Sequence, residues 1–354
     1  MIYLRWLLFP FSLLYGLAVV VRNWFYNTGL FKSRVFNIPV IAVGNLDVGG
    51  AGKSPMTEYL IRLLKGNYKL ATLSRGYGRK TTGFLLANSP ADAVMVGDEP
   101  AQFKNKFPNV TVAVAEKRVE GIEQLQTSHD IIILDDAYQH RAVKPGFSIL
   151  LFDYNRVNEP RLLLPAGNLR EPFTGRKRAD ILVISKCPVT LDSEQQAAVI
   201  KRINPLQRQA VFFTSISYLP LQDLAGKATN TVIDDTTTVF LLTGIANTHP
   251  LLEHLKKQTP HIIHHKYPDH HQFSLKNISK LADDFVACTA QKKLIITTEK
   301  DAQRLGEQDL QQVVKKLNIL VLPIGIEFLN NQQKQFDKLV TDYVRKYSKH
   351  SPIH

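Results

Sequence analysis

The chain has 354 residues, of which 44% are hydrophobic, so it can form two domains with cores of their own and is not a disordered chain. Its 44 Lys and Arg outnumber 31 Asp and Glu, and the formal charge of +13 favours anionic partners: phosphate groups, nucleic acid or acidic lipid. The two cysteines, Cys187 and Cys288, lie far apart without metal-type spacing, which excludes a disulfide framework and a zinc ribbon. We expect a folded, two-domain protein of a reducing compartment.

The N-terminal segment is strongly apolar. Residues 6–21 carry no charge, Arg5 and Arg22 flank them, and an aromatic cluster at 24–26 follows, of the kind that settles at lipid headgroup level. The run is shorter than the roughly 20 apolar residues that cross a bilayer, so a short tilted span and an interfacial anchor both fit. A cleaved signal peptide would need a small-residue cleavage site, and VVVRNWF follows the apolar core instead. We predict a membrane-anchoring helix within residues 1–30.

Short β-rich runs alternate with longer helical stretches through the rest of the chain. Near-continuous apolar strands in this rhythm predict an α/β fold, with a P-loop NTPase-type parallel sheet covered by helices on both faces. The predicted strands are 40–43, 70–74, 110–115, 131–134, 148–152 and 181–185, and then 239–243, 294–298 and 319–323. A polar stretch around 221–238 separates the two sets. We therefore predict a core domain over 31–220 and a second, smaller α/β domain over 221–354.

A glycine-rich segment, GNLDVGGAGKSP at 44–55, follows the first predicted strand and precedes a helix-like stretch. A polyphosphate needs exposed backbone N–H groups, a lysine for the β and γ oxygens, and a hydroxyl for Mg²⁺. The usual pattern has glycine six residues before the lysine, where this chain has aspartate. The other features of the motif are present, so we predict an ATP-binding loop that comprises Asp47, Val48, Gly49, Gly50, Ala51, Gly52, Lys53 and Ser54.

Pairs of carboxylates follow two apolar runs. Asp135 and Asp136 end the run 131–134, an arrangement that holds Mg²⁺ directly or through water in P-loop enzymes. Asp98 and Glu99 follow the run 93–96, where one could orient or deprotonate an attacking hydroxyl and the other could assist the metal. Acidic residues are also favoured in the first turn of a helix, so a purely structural role for this second pair stays open.

Four histidines, His264, His265, His270 and His271, surround a Tyr-Pro-Asp sequence. They could form a zinc site, supply one catalytic imidazole, or belong to a polar loop. Zinc ligands usually show more regular spacing, which ranks zinc last. An imidazole paired with a carboxylate would suit proton removal from a sugar or lipid hydroxyl. The later sequence TTEKDA, 297–302, has capping-box spacing and predicts the start of a helix.

Seven segments, taken in order, resemble the motifs of the tetraacyldisaccharide 4'-kinase family, the lipid A 4'-kinases. They are GNLDVGGAGKSP, SRGYGR, GDEP, LDDAYQHR, LLPAGNLREP, YPDHHQF and TTEKDA. The matches span most of the chain. The resemblance implies transfer of the γ-phosphate of ATP, with Mg²⁺, to the 4'-hydroxyl of an acylated glucosamine disaccharide 1-phosphate, giving lipid IVA in lipopolysaccharide biosynthesis. It implies the cytoplasmic face of a Gram-negative inner membrane and contact with its lipids. Neither nucleic acid nor an obligate protein partner is expected.

The resemblance also implies residue roles, at a site between the two domains. Asp98 would be the catalytic carboxylate and His270 its partner, while Lys53 would act on the phosphates. The metal residues would be Ser54, Glu99, Asp135 and Asp136, and residues near the substrate or nucleotide would be Tyr77, Arg118, His140, Asn168 and Arg170. Many members carry a Gly-Arg-Asp-Arg-like run where this chain has AEKR at 115–118, and only Arg118 matches it.

Two other functions are weighed against this one. A P-loop GTPase that serves as a metal chaperone would need an Asn-Lys-x-Asp motif, and the nearest candidate, SKCP at 185–188, lacks the aspartate. A noncatalytic membrane scaffold would not need the intact Lys53, Ser54 and Asp136. Both hypotheses are therefore less favoured than a kinase.

Overall fold

Two β-sheets organise the chain. The computed structural model describes residues 7–88, 91–306 and 310–348. The strands are β1 Val40–Asn45, β2 Leu70–Ser74, β3 Leu85–Leu86, β4 Thr111–Val114, β5 Ile131–Asp135, β6 Phe147–Asp153, β7 Ile181–Ser185, β8 Ala210–Tyr218, β9 Thr238–Thr243, β10 Ile262–Lys266, β11 Lys293–Thr298, β12 Ile319–Leu322 and β13 Ile324–Phe328. The α-helices are α1 Phe9–Asn27, α2 Lys53–Leu64, α3 Ala93–Val96, α4 Asp98–Lys106, α5 Arg118–Leu125, α6 Ser193–Ile203, α7 His249–Lys256, α8 Leu275–Ala287, α9 Glu299–Arg304, α10 Gln311–Val314 and α11 Gln333–Ser348.

The larger sheet has nine strands in the order β13-β8-β7-β6-β1-β5-β2-β4-β3. Its pairs are parallel except β13 with β8 and β3 with β4 at the two edges. Successive residues of a strand point to opposite faces, so Ile41 and Val43 pack against α2, whereas Val40 and Ala42 face the side of α5. Both faces are therefore apolar and covered by helices, as the sequence predicted.

A second sheet forms a smaller unit. Its four parallel strands have the order β10-β9-β11-β12. Phe240 and Leu242 of β9 pack towards α8 on one face, and Val239 and Leu241 pack towards α7 on the other. We call this sheet with its helices the small unit, and the nine-stranded sheet with its helices the core unit.

The end of the chain does not stay in the small unit. Strand β13 pairs with β8 of the core unit, and α11 packs on the same sheet. Four aromatic rings, those of Tyr59, Phe212, Phe328 and Phe336, lie in edge-to-face or tilted contact there. The predicted range 221–354 for the second domain therefore needs a correction, because residues 324–348 bury their apolar face in the core unit.

The N-terminal helix α1 lies against the core unit along one narrow face. Ser12, Gly16 and Val19 are buried at helical spacing, and Ser12 bonds the carbonyl oxygen of Leu163 and the amide of Ala166. The opposite face is apolar and exposed, with side chains at Phe11, Leu13, Leu14, Leu17, Val20, Val21 and Trp24. Among the residues that the structure describes, no helix combines the length and the hydropathy needed to cross a bilayer.

Candidate active site between the two units

The predicted phosphate-binding loop joins the end of β1 to the start of α2. Gly52 caps α2 with a left-handed φ of 82°, a conformation that glycine adopts without steric penalty. Asn45, the last residue of β1, donates from Nδ2 to the carbonyl oxygen of Asp47 at 2.8 Å and accepts at Oδ1 from the Lys53 ammonium at 3.1 Å. The lysine is only 7% exposed. Asn45 thus shapes the loop and holds the lysine over it.

Neighbouring segments hold the loop from outside. The Ser185 hydroxyl, at the end of β7, donates to the carbonyl oxygen of Ala51 at 2.7 Å, and the Lys186 ammonium contacts that of Gly50. Arg156 donates to the carbonyl oxygen of Val48 at 2.7 Å. Several loop carbonyls are therefore turned away from the ligand side, which favours a cradle of N–H groups.

The hydroxyl of Ser54, in the first turn of α2, donates to Oε1 of Glu99 at 2.8 Å. The same oxygen accepts from the Lys300 ammonium, also at 2.8 Å, and Lys300 belongs to α9 of the small unit. Burial alone would raise the pKa of Glu99, but Lys300, Lys53 and the serine hydroxyl outweigh it and hold the pKa at about 2. Glu99 is therefore an ionised acceptor that links the two units at the phosphate loop.

Asp135 and Asp136 lie beside this group at the end of β5. Oδ1 of Asp135 accepts from the Thr57 hydroxyl at 2.8 Å, while its Oδ2 is buried without a hydrogen-bond partner in the described part of the chain. Burial, followed by the carboxylates of Glu99 and Asp136, raises the pKa of Asp135 to about 7. Asp136 lies 3.5 Å from the Lys53 ammonium, and Arg170 holds both its oxygens at 3.2 Å. An unpartnered carboxylate oxygen among three acidic groups is a candidate cation ligand.

Asp98 begins helix α4 and faces the small unit. Its Oδ2 lies 3.3 Å from Nδ1 of His270 and 2.6 Å from Nη2 of Arg304. The pair predicted from the resemblance is thus brought together across the two units, although 172 positions separate its members. The alternative structural role is also present, because Asp98 and Glu99 occupy the first turn of α4.

The other three histidines of the cluster do not join the site. His264 and His265 lie on β10, where His264 bonds the Thr243 hydroxyl at 2.7 Å and His265 lies 3.5 Å from Asp284. His271 bonds Oδ1 of Asn277 at 3.0 Å. Within the ranges that the structure describes, no group of three or more His, Cys, Asp or Glu side chains is arranged to hold a metal by itself.

The residues predicted to lie near the substrate or nucleotide differ in exposure and in their surroundings. Tyr77 is 81% exposed, and its ring centroid lies 6.2 Å from that of His270. Arg118 is 3% exposed, and burial, with Arg75 nearby, lowers its pKa to about 10 although Asp136 and Asp135 oppose this. Asn168 and Arg170 border the phosphate loop, since the carbonyl oxygen of Asn168 accepts from the amide of Val48 at 2.8 Å. His140 has its pKa lowered to about 4, mainly by burial.

Sequence reasoning missed several site residues. In the sequence, Asn45 has no signal beyond its place in the loop motif, and Lys300 lies inside TTEKDA, whose spacing predicts a helix start. That interpretation is confirmed, because the Thr298 hydroxyl accepts from the amide of Asp301, but α9 also carries Lys300 and Arg304 into the site. Acid and base three residues apart on a helix usually signal a surface ion pair, so Arg304 gave no distinct signal.

The core unit has a parallel sheet, a glycine-rich loop that precedes a helix, and carboxylates at the end of β5, the strand beside β1. These features define a P-loop phosphotransferase. The profile of the LpxK family, described as tetraacyldisaccharide-1-P 4'-kinase, matches residues 4–345. The chain belongs to this family. The predicted resemblance and the predicted enzyme class, a kinase, are confirmed.

Individual relatives agree with the family match. The chain is 46% identical over 347 residues to a tetraacyldisaccharide 4'-kinase of Flavobacterium psychrophilum, covering 97% of each chain. It is 44% identical over 355 residues to one of Phocaeicola vulgatus, covering 98% of this chain and 97% of the other. A crystal structure of LpxK from Aquifex aeolicus in complex with ATP is similar with a TM-score of 0.74 and 28% identity, over 96% of this chain and 99% of that one.

Proposed function

We propose that this chain transfers the γ-phosphoryl group of ATP to the 4'-hydroxyl of a tetraacylated glucosamine disaccharide 1-phosphate, giving lipid IVA for lipid A. One observation carries the proposal: the phosphate-loop hydroxyl of Ser54 bonds Glu99, and the adjacent Asp98 meets His270 of the small unit. A phosphate cradle and a proton acceptor thus stand side by side in one cleft. Two relatives named as tetraacyldisaccharide 4'-kinases are 44% and 46% identical to the chain.

ATP would bind at the loop of residues 47–54, with its phosphates on the amides of residues 49–54, since the amide of Val48 is already bonded to the carbonyl oxygen of Asn168. The Lys53 ammonium, now on Asn45 and near Asp136, is free to turn to the β and γ phosphate oxygens, because ligand oxygens can replace both partners. Its charge would be used most as the γ-phosphoryl group detaches, so it would contribute chiefly to kcat.

The residues proposed to hold Mg²⁺ are Ser54, Glu99, Asp135 and Asp136. The fit rests on the oxygen-only donor set and on the buried, unpartnered Oδ2 of Asp135, since Mg²⁺ prefers oxygen ligands and usually combines one or two carboxylates with phosphates and water. When bound, the ion would neutralise charge on the β and γ phosphate oxygens.

Proton removal from the 4'-hydroxyl is assigned to Asp98 with His270. Oδ2 of Asp98 is engaged by His270 and Arg304, which leaves Oδ1 as the oxygen that can accept from an incoming hydroxyl. A histidine at 3.3 Å can share the proton and keep the carboxylate oriented. The exposed ring of Tyr77 beside His270 is a suitable surface for the sugar.

The remaining contacts to substrate or nucleotide are proposed to come from Arg118, His140, Asn168 and Arg170. The two arginines lie near Asp136, so they add positive charge where phosphate oxygens would gather. His140 is neutral near pH 7, because its pKa is lowered to about 4, and would act through hydrogen bonding and not through charge.

The exposed apolar face of α1 is proposed to insert into the cytoplasmic leaflet of the inner membrane of a Gram-negative cell. Leu14 and Leu17 are 67% and 62% exposed, and Trp24 is 57% exposed near the end of the helix. A net charge of +13 would add attraction to acidic headgroups. An interfacial helix of this kind would bring the cleft to an acylated substrate.

The test is transfer of labelled γ-phosphate from ATP to the detergent-dispersed disaccharide lipid, with the phosphate position determined on the product. We expect a 4'-phosphate from the native chain and a kcat lower by on the order of 10²-fold or more in Lys53→Met, at nearly unchanged melting temperature. A native chain that transfers no phosphate to this lipid would refute the proposal.

A further inference from the structure

Arg304 is an unusually buried cation. It ends helix α9, and only 1% of its surface is exposed. By volume it is the largest of the fully buried side chains in the described ranges. A guanidinium is rarely withdrawn from water unless its donors are satisfied by acceptors of fixed geometry. Its partners therefore indicate what the residue is for.

On one side, the guanidinium is fixed to the small unit. Nη1 donates to Oδ1 of Asp301 at 3.0 Å and to the carbonyl oxygen of Gly244 at 3.1 Å. Asp301 is itself fully buried and held through Oδ2 by the amide of Gly244 at 3.0 Å and the Thr298 hydroxyl at 2.8 Å. Arg304 consequently has little freedom to swing.

On the other side, the guanidinium reaches the core unit. Nε and Nη2 donate to the same oxygen of Asp98, Oδ2, at 3.1 and 2.6 Å. Nη2 also lies 3.2 Å from Nδ1 of His270, so one nitrogen touches both members of the proposed proton-accepting pair. Asp301 alone would satisfy the charge of Arg304, so its two further bonds to Asp98 point to a second role.

We infer that Arg304 is a positioning residue of the phosphoryl transfer: it holds Oδ2 of Asp98 towards the small unit so that Oδ1 faces the acceptor hydroxyl. The inference rests on the proposed function. Because the guanidinium is anchored in the small unit and Asp98 begins a helix of the core unit, the alignment exists only while the two units are in contact. Arg304 thereby makes the proton acceptor depend on closure of the cleft.

Further contacts join the two helices on either side of the site. Helices α4 and α9 meet along their length, with Glu99 bonded to Lys300 at one end and Asn105 bonded to Gln303 at 2.7 Å at the other. The second pair lies on the same interface without touching Asp98 or His270. Gln303 thus offers a matched control for loss of an interface contact alone.

The test compares Arg304→Lys with Gln303→Ala in the full-length chain, using kcat, KM for ATP and melting temperature. Lysine keeps the charge but cannot bond Asp98, Asp301 and Gly244 together. We expect kcat of Arg304→Lys to fall about tenfold or more while KM for ATP changes less than about threefold, and Gln303→Ala to keep near-native kcat. Arg304→Gln, which removes the charge, carries the same test if the lysine variant does not fold.

A double-variant comparison separates positioning from general destabilisation. If Arg304 acts through Asp98, adding Arg304→Lys to Asp98→Asn should lower kcat by less than about threefold beyond Asp98→Asn alone. Native kcat in Arg304→Lys, or a loss that adds in full to that of Asp98→Asn, would overturn the inference. Failure of the proposed function is a different result, because the unaltered chain would then transfer no phosphate to the disaccharide lipid.

Discussion

The phenol of Tyr15, on the N-terminal helix, donates a hydrogen bond of 2.7 Å to the carbonyl oxygen of Arg170. The side chain of Arg170 in turn holds Asp136, which lies beside Lys53 of the phosphate loop. The helix predicted from sequence as a membrane anchor is therefore in contact with the segment that holds Asp136 beside Lys53. Changes at the surface of α1 and changes in the cleft are expected to be coupled.

Replacing Tyr15 by Phe should lower kcat modestly, by about threefold or more, because Arg170 loses a fixed point and holds Asp136 less well. The free energy of unfolding should fall by about 1 kcal/mol, the usual contribution of one hydrogen bond. Steady-state kinetics on a water-dispersed short-chain substrate, with urea unfolding, would measure both. Tyr26→Phe removes a hydroxyl from the same helix and is the control; equal effects of the two variants would contradict the coupling.

Asp98 and His270 should behave as one proton-accepting unit. Each single Ala variant is expected to lose on the order of 10²-fold in kcat, and the double variant should lose little more than the worse single. If the two residues served only as a helix start and a loop residue, the effects would be independent and would appear as about 1 kcal/mol of stability at the cap. Measuring kcat and melting temperature of the three variants decides this, and rate losses that add or that follow unfolding exclude the pair.

His140 should make the fold less stable in mild acid. Burial, with the cations Arg118, Arg22 and Arg75 nearby, lowers its pKa from 6.5 to about 4. The unfolded chain binds a proton between these values and the folded chain does not, so the stabilising contribution is complete above pH 6.5 and disappears as pH falls through about 4. Between these limits the native chain should lose about 1 to 3 kcal/mol relative to His140→Gln. Urea unfolding across the range measures the difference; parallel pH dependences would show that His140 titrates normally.

Gly121 should not tolerate alanine, although it lies inside helix α5, where that change normally stabilises by about 0.5 to 1 kcal/mol. A Cβ at this position would lie 2.7 Å from Cδ2 of Leu73, a buried residue packed on the inner side of α5. Overpacking of about 1 to 3 kcal/mol should reverse the sign. Thermal unfolding of Gly121→Ala, beside the exposed control Gln124→Ala, would detect it, and a melting temperature above that of the native chain would contradict the packing argument.

Much of the core unit could be predicted because its strands are buried on both faces. The predicted runs 70–74 and 181–185 coincide with β2 and β7, and the glycine-rich loop lies between β1 and α2 as expected. Strands with mixed polarity were harder to predict. The sequence AVFFTSISY, which forms β8, mixes apolar and hydroxyl side chains. The histidine-rich β10 lies at the edge of its sheet, and an edge strand need not be apolar on both faces.

The site was predictable where chemistry constrains residue type and spacing, as at Lys53 and Ser54. The contact between Asp98 and His270 came from resemblance to a family, since local sequence contains no information on which strand ends of two sheets face each other. Arg304 was not predictable for a related reason. Its burial and its hydrogen-bond partners depend on the packing of α9 against α4. From sequence alone, an arginine in a short polar helix is expected at the surface.

The return of the chain to the core unit has a consequence for how the cleft can open. Residues 219–222, which lead out to the small unit, and residues 321–323, which lead back, run side by side. Backbone hydrogen bonds join Leu219 to Pro323 and Gln222 to Val321. The small unit is thus an insertion tethered twice at one edge of the large sheet. Two paired tethers permit rotation about the line that joins them and resist twisting and sliding. Opening and closing would then be one rotation of the small unit, which breaks and re-forms the hydrogen bonds between Arg304 and Asp98. Each closure would return the guanidinium to the same carboxylate oxygen.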